Sequence, residues 1–209
     1  MKVFSVAGYH HTGKTTAVVN LIKELKKRGH RVVSIKDIHA ENFSMEKKGS
    51  NTWKHWEASG DCVFARGLHE TYLIWHRHLS LKEMLLHLAA DYVVVEGMKT
   101  APLPKIICAY DENELNELLD DTIFAISGKF ADENTEYKHL PVKSAINNIE
   151  ELTDLVEQHV FEVLPLSEPE CKNKCGSSCY EIVGQILTRK RSRQDCPYRI
   201  HTIASVIEL

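Results

Sequence analysis

No stretch of this 209-residue sequence reaches the ~20 consecutive apolar residues that a membrane-spanning helix needs. Neither sign of charge dominates. The 26 Lys and Arg against 29 Asp and Glu leave a formal net charge of −3, so no face is flooded with cations and a dedicated nucleic-acid binder is not expected. Internal repeats and low-complexity tracts are missing, which excludes solenoid and array architectures. The chain opens on MKVFSVAG, a strand-like run without the basic-then-apolar pattern of a signal segment, and the expected compartment is the cytoplasm. Cysteine is sparse before residue 170. Cys62 and Cys108 stand alone in apolar runs and read as buried hydrophobes in strands of the main sheet. The other four, Cys171, Cys175, Cys179 and Cys196, crowd into the last forty residues, a concentration that in a reducing compartment points to a metal site more than to a disulfide framework.

What is present reads as an α/β fold, a P-loop nucleotide-binding domain on a mainly parallel sheet, followed by a small Cys-rich domain. Residues 2–8 are a buried strand. Residues 14–28 form a helix with Val18, Leu21, Ile22 and Leu25 on one face, ended by Gly29, and 31–38 form a second strand. A β–loop–α–β unit of this kind implies parallel pairing. Segment 39–51 is polar and irregular, and a short helix carrying Trp53 and Trp56 follows, with the two indoles as packing or interface residues. Residues 61–66 and 71–76 read as neighbouring strands, and 80–89 as a helix capped by Ser80. DYVVVEG at 91–97 is the continuous apolar run of a central parallel strand. Strands at 105–109 and 122–127 and a helix at 148–161 complete the first domain, residues 1–164. The turn-rich LPLSEPE marks the passage to the second, residues 165–209, whose closing RIHTIASVIEL has the pattern of a last strand.

The run Gly8-Tyr-His-His-Thr-Gly-Lys-Thr-Thr16 fits G-x-x-x-x-G-K-[ST] between a strand and a helix, the context this phosphate loop requires. Gly8 and Gly13 permit backbone angles that let successive N–H groups converge on phosphate oxygens, and the helix starting near Lys14 adds the positive end of its dipole. His11, Thr12, Gly13, Lys14, Thr15 and Thr16 are therefore the candidate nucleotide-binding residues along with Gly8. Lys14 is placed to reach the β- and γ-phosphates, and the Thr15 hydroxyl to ligate Mg²⁺. A carboxylate at the carboxyl end of a neighbouring strand is also needed to hold the metal. Glu96, ending YVVVE, and Asp37, ending the second strand, are the candidates, with Lys14 and Glu96 the pair expected to act in any hydrolysis. Asp91 begins its strand and reads as structural. No Asn-Lys-x-Asp guanine clamp occurs, so the residues alone do not name the base.

Several separate blocks resemble the molybdopterin-guanine dinucleotide biosynthesis protein B family. These are the G-x-x-x-x-G-K-T-T loop after the first strand, Ile35-Lys36 followed by His39 and Phe43, and Gly49 to Gly60 with His55. DYVVVEGMK followed by LPKI extends the likeness, carrying Glu96, Gly97, Lys99, Pro104 and Lys105, and so do 122–127 and 140–156. The resemblance covers residues 1 to about 160. It implies GTP binding with Mg²⁺, weak GTPase activity, a homodimer, and service to the guanylyltransferase of molybdopterin cofactor synthesis. The chain departs from it at Asp37, where the family has His, and at Ser50, Asn51 and Thr52. A ligase or kinase of the dethiobiotin-synthetase type shares the same P-loop architecture. A third reading is an interaction protein that binds a molybdoenzyme apoprotein through the Cys-rich tail.

The tail runs Cys171-x₃-Cys175-x₃-Cys179, sixteen residues, then Cys196-Pro197. Four thiolates from a Gly-containing loop and a helix end can surround one [4Fe–4S] cluster or one Zn²⁺. The pattern is similar to the four-cysteine domain of Rnf-type electron-transport subunits and corrinoid iron–sulfur proteins, with the middle cysteine shifted by one position. That resemblance implies a cluster bound by these four residues, with Lys172, Lys174, Arg189, Lys190, Arg191 and Arg193 offsetting its charge. The bland reading of the same bases is a solvated helix face.

Overall fold

The computed structural model describes residues 1–166 and 175–200. Five parallel strands form the main sheet: β1 (Lys2–Ala7), β2 (Val32–Lys36), β5 (Tyr92–Glu96), β6 (Lys105–Cys108) and β7 (Ile123–Ser127), in the order β2-β5-β1-β6-β7. β1 is therefore central, in register with β5 from Lys2↔Tyr92 to Val6↔Glu96 and with β6 from Ser5↔Lys105 to Ala7↔Ile107. Its burial explains its composition. Val3 to Ala7 are all buried, as a strand covered on both faces must be.

One face packs α1 (Lys14–Lys27) and α5 (Ile149–His159) through Val18, Leu21, Leu25, Leu152 and Val156 onto Phe4, Val6, Val94, Ile106 and Phe124. Polar contacts finish this seam. Arg28, at the C-cap of α1, reaches Glu24, Asp154 and Glu157 at 3.1, 2.7 and 2.7 Å. The other face gathers Ala7, Ile107, Leu115, Ile126, Phe130 and Val142, with Leu115 supplied by α4 (Glu112–Leu118). α4 is a helix that apolar periodicity did not mark; its signal is the N-cap Asp111, which accepts from Asn113 N and Glu114 N.

The chain divides into two compact units, Met1–Asp37 with Leu85–Leu209, and Ile38–Met84. The second holds α2 (Asn51–Ser59) and an antiparallel hairpin of β3 (Cys62–Arg66) and β4 (Thr71–Trp75); α3 (Leu81–Leu86) begins within it. Strands 61–66 and 71–76 are thus neighbours as expected, but outside the main sheet. Cys62 accordingly lies in the hairpin and is only half-buried, whereas Cys108 is buried in β6. Neither α2 nor the hairpin buries a residue fully. Aromatic stacking substitutes for an aliphatic core: the His76 ring lies 4.0 Å from Trp56 and 4.7 Å from Trp53, with its Nε2 2.6 Å from Glu46. Ser80 caps α3 as expected, and Glu83 returns the contact to complete a reciprocal cap.

The sequence boundary at residue 165 does not coincide with a division between these units. α6 (Cys179–Leu187) joins the first unit, where Leu187 packs on the sheet core, and the buried Arg193 donates to the Glu162 and Val163 carbonyls at 2.7 and 3.0 Å. The expected last strand falls mostly beyond residue 200, outside the described residues.

Candidate nucleotide site

The phosphate loop leaves β1 at Ala7 and enters α1 at Lys14, with Gly13 as N-cap at φ 99°. Its path is set by close backbone approach. A Cβ on Gly8 would fall 2.0 Å from the Cys108 carbonyl oxygen, and one on Gly128 would fall 2.3 Å from that of Thr12. Only glycine fits either place. Within the loop the buried Thr12 hydroxyl donates to Tyr9 O at 2.9 Å, and the Lys14 ammonium folds back to donate to the same carbonyl. The first intrahelical bond of α1 is Ala17 N to Gly13 O, so the N–H groups of Lys14, Thr15 and Thr16 precede the helix ladder and face outward as donors. His11 is exposed at φ 62°. Beneath the loop, burial pushes the Cys108 thiol up to about 12, which keeps it an inert apolar floor.

Thr15, Glu96 and Lys36 converge. The Thr15 hydroxyl donates to Glu96 Oε1 at 2.8 Å, and the Lys36 ammonium meets the same oxygen at 2.9 Å. The parallel register Lys36↔Glu96 at the carboxyl ends of β2 and β5 produces this meeting. Asp37 follows immediately, its N–H donating to Glu96 O at 2.9 Å. Hydroxyl and carboxylate oxygens are the hard donors Mg²⁺ prefers, so the chemistry of the set suits that ion. The sequence reading named Thr15, Glu96 and Asp37 but gave Lys36 no role at the site. The available signal was that two adjacent parallel strands ending at one level bring their last side chains together.

The opposite end of the sheet holds a second lysine–carboxylate cluster. Lys105 is 1% exposed. Its ammonium donates to the Thr122 hydroxyl at 2.5 Å and lies 4.3 Å from the Tyr180 ring centroid. Asp120 accepts from Thr122 N at 2.7 Å and from the Tyr180 hydroxyl at 2.6 Å. Burial pulls the Lys105 ammonium down to about 8, against the opposing pull of Asp120. A hollow of about 390 Å³ lies at this end, lined among others by Asp120, Ile123, Phe124, His159 and Leu187. It opens beside the first residue of β7, whereas the phosphate loop touches the glycine after its last, so it takes no part in phosphate binding. Asp91, read as structural, also sits at this end and accepts from Arg31 N at 2.7 Å.

Of the four tail cysteines, Cys171 lies outside the described residues. Cys175, Cys179 and Cys196 share one small cluster with Leu164, Ile182 and Val183. Cys179 is the first residue of α6, whose N-cap Ser178 forms a reciprocal cap with Glu181. Among the described residues no group of three or more His, Cys, Asp or Glu is arranged to hold a metal ion. Two of the bases expected to balance cluster charge, Arg191 and Arg193, reach backbone carbonyls, as does Arg199. Arg193 and Arg199 donate to Cys196 O at 2.8 and 2.7 Å, and Arg191 reaches Cys175 O at 3.5 Å. No helix of the described residues is long and apolar enough to cross a membrane.

Comparison with known proteins agrees with this arrangement. Residues 3–129 match the family model of molybdopterin guanine dinucleotide synthesis protein B. A probable molybdopterin-guanine dinucleotide biosynthesis adapter protein of Bacillus subtilis is 26% identical over 144 residues, covering 67% of this chain and 83% of the relative. A putative adapter protein of Methanocaldococcus jannaschii is 24% identical over 203 residues, 94% of this chain and 76% of the relative, so that match runs into the Cys-rich segment. Among solved structures, Bacillus subtilis MobB superposes with a TM-score of 0.58 at 23% identity, covering 77% of this chain and 99% of the other, which shows the shared fold. Strand-fed phosphate loop, parallel sheet and family match point the same way, and the chain belongs to the molybdopterin guanine dinucleotide synthesis protein B family.

Proposed function

We propose that the chain is a GTP- and Mg²⁺-binding adapter of molybdopterin guanine dinucleotide synthesis. The observation that carries the reading is the Thr15–Glu96 contact of 2.8 Å beside a glycine-bounded phosphate loop. Lys14 holds the β- and γ-phosphates as a point cation, the outward N–H groups of the first turn of α1 bind their oxygens, and Thr15 and Glu96 hold the metal, with Asp37 beside them. Mg²⁺ bound there neutralises the charge of the triphosphate. Lys36, 2.9 Å from Glu96 Oε1, would hold the carboxylate in place for the ion.

The polar side chains that meet at the loop position phosphates and metal, and Arg28, at the far end of α1, is spent on carboxylates. Hydrolysis is therefore slow, well below the ~1–100 s⁻¹ of kinases. The relatives are named as biosynthesis adapters, in keeping with delivery to a guanylyltransferase, and we place the chain in the same role, working as a homodimer in the cytoplasm. The finer reading of the tail as a [4Fe–4S] site of Cys171, Cys175, Cys179 and Cys196, with Zn²⁺ as the alternative, rests on their spacing and on three of the four sharing one cluster. Two experiments test these readings. Calorimetric titration with GTP and Mg²⁺ gives saturable binding that Lys14→Ala removes; equal affinity in the variant overturns the nucleotide reading. Metal and sulfide analysis of anaerobically purified protein gives four irons per chain, or one zinc for the alternative; the absence of both overturns the metal reading of the tail.

A further inference from the structure

The nucleotide reading leaves the base unassigned, and the sheet order says where to look. Thr15 meets Glu96 on β5, so the metal and the terminal phosphate lie on the β5 flank of β1. The nucleoside then leaves toward the other flank, over the ends of β6 and β7. β7 ends at Ser127 and turns through Gly128 directly against the phosphate loop: Lys129 N donates to Thr12 O at 3.2 Å, and a Cβ on Gly13 would sit 3.3 Å from the Gly128 Cα. Residues Lys129–Asp132 form a 3₁₀ turn, in which side chains three apart eclipse one another. Lys129 and Asp132 therefore stand on one side of the turn, and both are exposed. The turn itself is anchored: Phe130 is buried, and its N–H donates to Ala109 O at 2.9 Å.

Three of the acids after β6 are engaged. Asp111 caps α4, Glu114 accepts from Tyr110 N at 2.7 Å, and Glu117 accepts from the Tyr9 hydroxyl at 2.8 Å. The Asp132 carboxylate makes no hydrogen bond or ion pair among the described residues. We propose that Asp132 and Lys129 form the base clamp of the nucleotide site and select guanine; this rests on the nucleotide reading above. Guanine presents its N1–H and 2-amino donors side by side, and one carboxylate accepts both in a charge-assisted pair. Adenine presents an acceptor at N1, which meets the carboxylate unfavourably. The Lys129 stem covers the base face while its ammonium stays in water. Gly128-Lys129-Phe130-Ala131-Asp132 is one residue longer between lysine and aspartate than Asn-Lys-x-Asp, and for that reason a motif scan passes over it.

The test is calorimetry on the full chain with Mg²⁺ and four triphosphates, GTP, ITP, XTP and ATP. The native protein binds GTP more tightly than ATP and loses roughly tenfold on ITP, which lacks the 2-amino group. Asp132→Asn weakens GTP by about tenfold to a hundredfold and binds XTP more tightly than the native protein does, since the amide donates to the 2-oxo group of xanthine. Lys129→Ala weakens all four by a smaller, similar factor. Native protein that binds GTP and ATP equally, or Asp132→Asn with an unchanged order of triphosphates, overturns the clamp while leaving the phosphate site standing. Failure of the native protein to bind any of the four sinks both readings.

Discussion

Each end of the main sheet carries a lysine, a carboxylate and a threonine hydroxyl, and the two groups serve opposite ends. At the carboxyl ends of the strands, Lys36, Glu96 and Thr15 meet at a single oxygen, with Lys36 exposed and Glu96 partly so. At the amino ends, Lys105, Asp120 and Thr122 are tied down together with Tyr180, with the ammonium buried. Accessibility, and not residue type, separates a site that can receive a ligand from a clamp that fastens α6 to the sheet. A polar group that water reaches can exchange its partner cheaply; a buried one cannot lose its partner without a desolvation penalty.

That contrast is open to measurement. The largest effect is at the open end, where Lys14→Ala lowers GTP affinity about a thousandfold, roughly 4 kcal/mol, with the melting temperature unchanged. Loss of stability in that variant would make Lys14 part of the scaffold. At the closed end the effect is on stability and has a sign. Burial depresses the Lys105 ammonium from 10.5 to about 8, so between those values the unfolded chain holds a proton that the native chain has released. Stability then rises with pH across that window. Relative to native protein, Lys105→Met removes about 3 kcal/mol of this alkaline rise, checked by urea denaturation at pH 7 and pH 11; parallel pH profiles contradict the burial argument.

Two smaller changes sharpen the same line. Glu96→Gln reduces the Mg²⁺ enhancement of GTP binding about tenfold, roughly 1.4 kcal/mol, without altering the fold; titration with and without Mg²⁺ reads it directly. Tyr180→Phe removes one hydroxyl from the closed cluster and costs about 1 kcal/mol of unfolding free energy while GTP affinity stays constant. A change in GTP affinity there would show that the two ends are coupled.

The loop between β1 and α1 was readable in the sequence because its geometry is local. Nine consecutive residues, a strand before and a helix after are enough to specify Gly8, Lys14 and Thr15. The position of Glu96 beside Thr15 was readable for a related reason, since it is the acid that ends a continuous apolar strand. What escaped depends on which strands are neighbours. Lys36 reaches Glu96 only because β2 lies beside β5, and Lys105 looks like a surface base until β6 is placed between β1 and β7. The hairpin was recognised as two neighbouring strands, yet periodicity could not tell that they form a sheet of their own. Asp132 was missed because its spacing departs by one residue from the usual clamp, and that departure is absorbed by a 3₁₀ turn.

The central position of β1 has a consequence for the order of events during synthesis. Lys2 pairs with Tyr92, Gly8 packs under Cys108, and Thr12 is braced by Lys129. The loop residues therefore cannot take their shape until more than a hundred further residues have left the ribosome. Long-range parallel pairings of this kind close late and slowly. The loop is thus made well before it can be shaped, and a ligand that binds it acts late, drawing the finished sheet together.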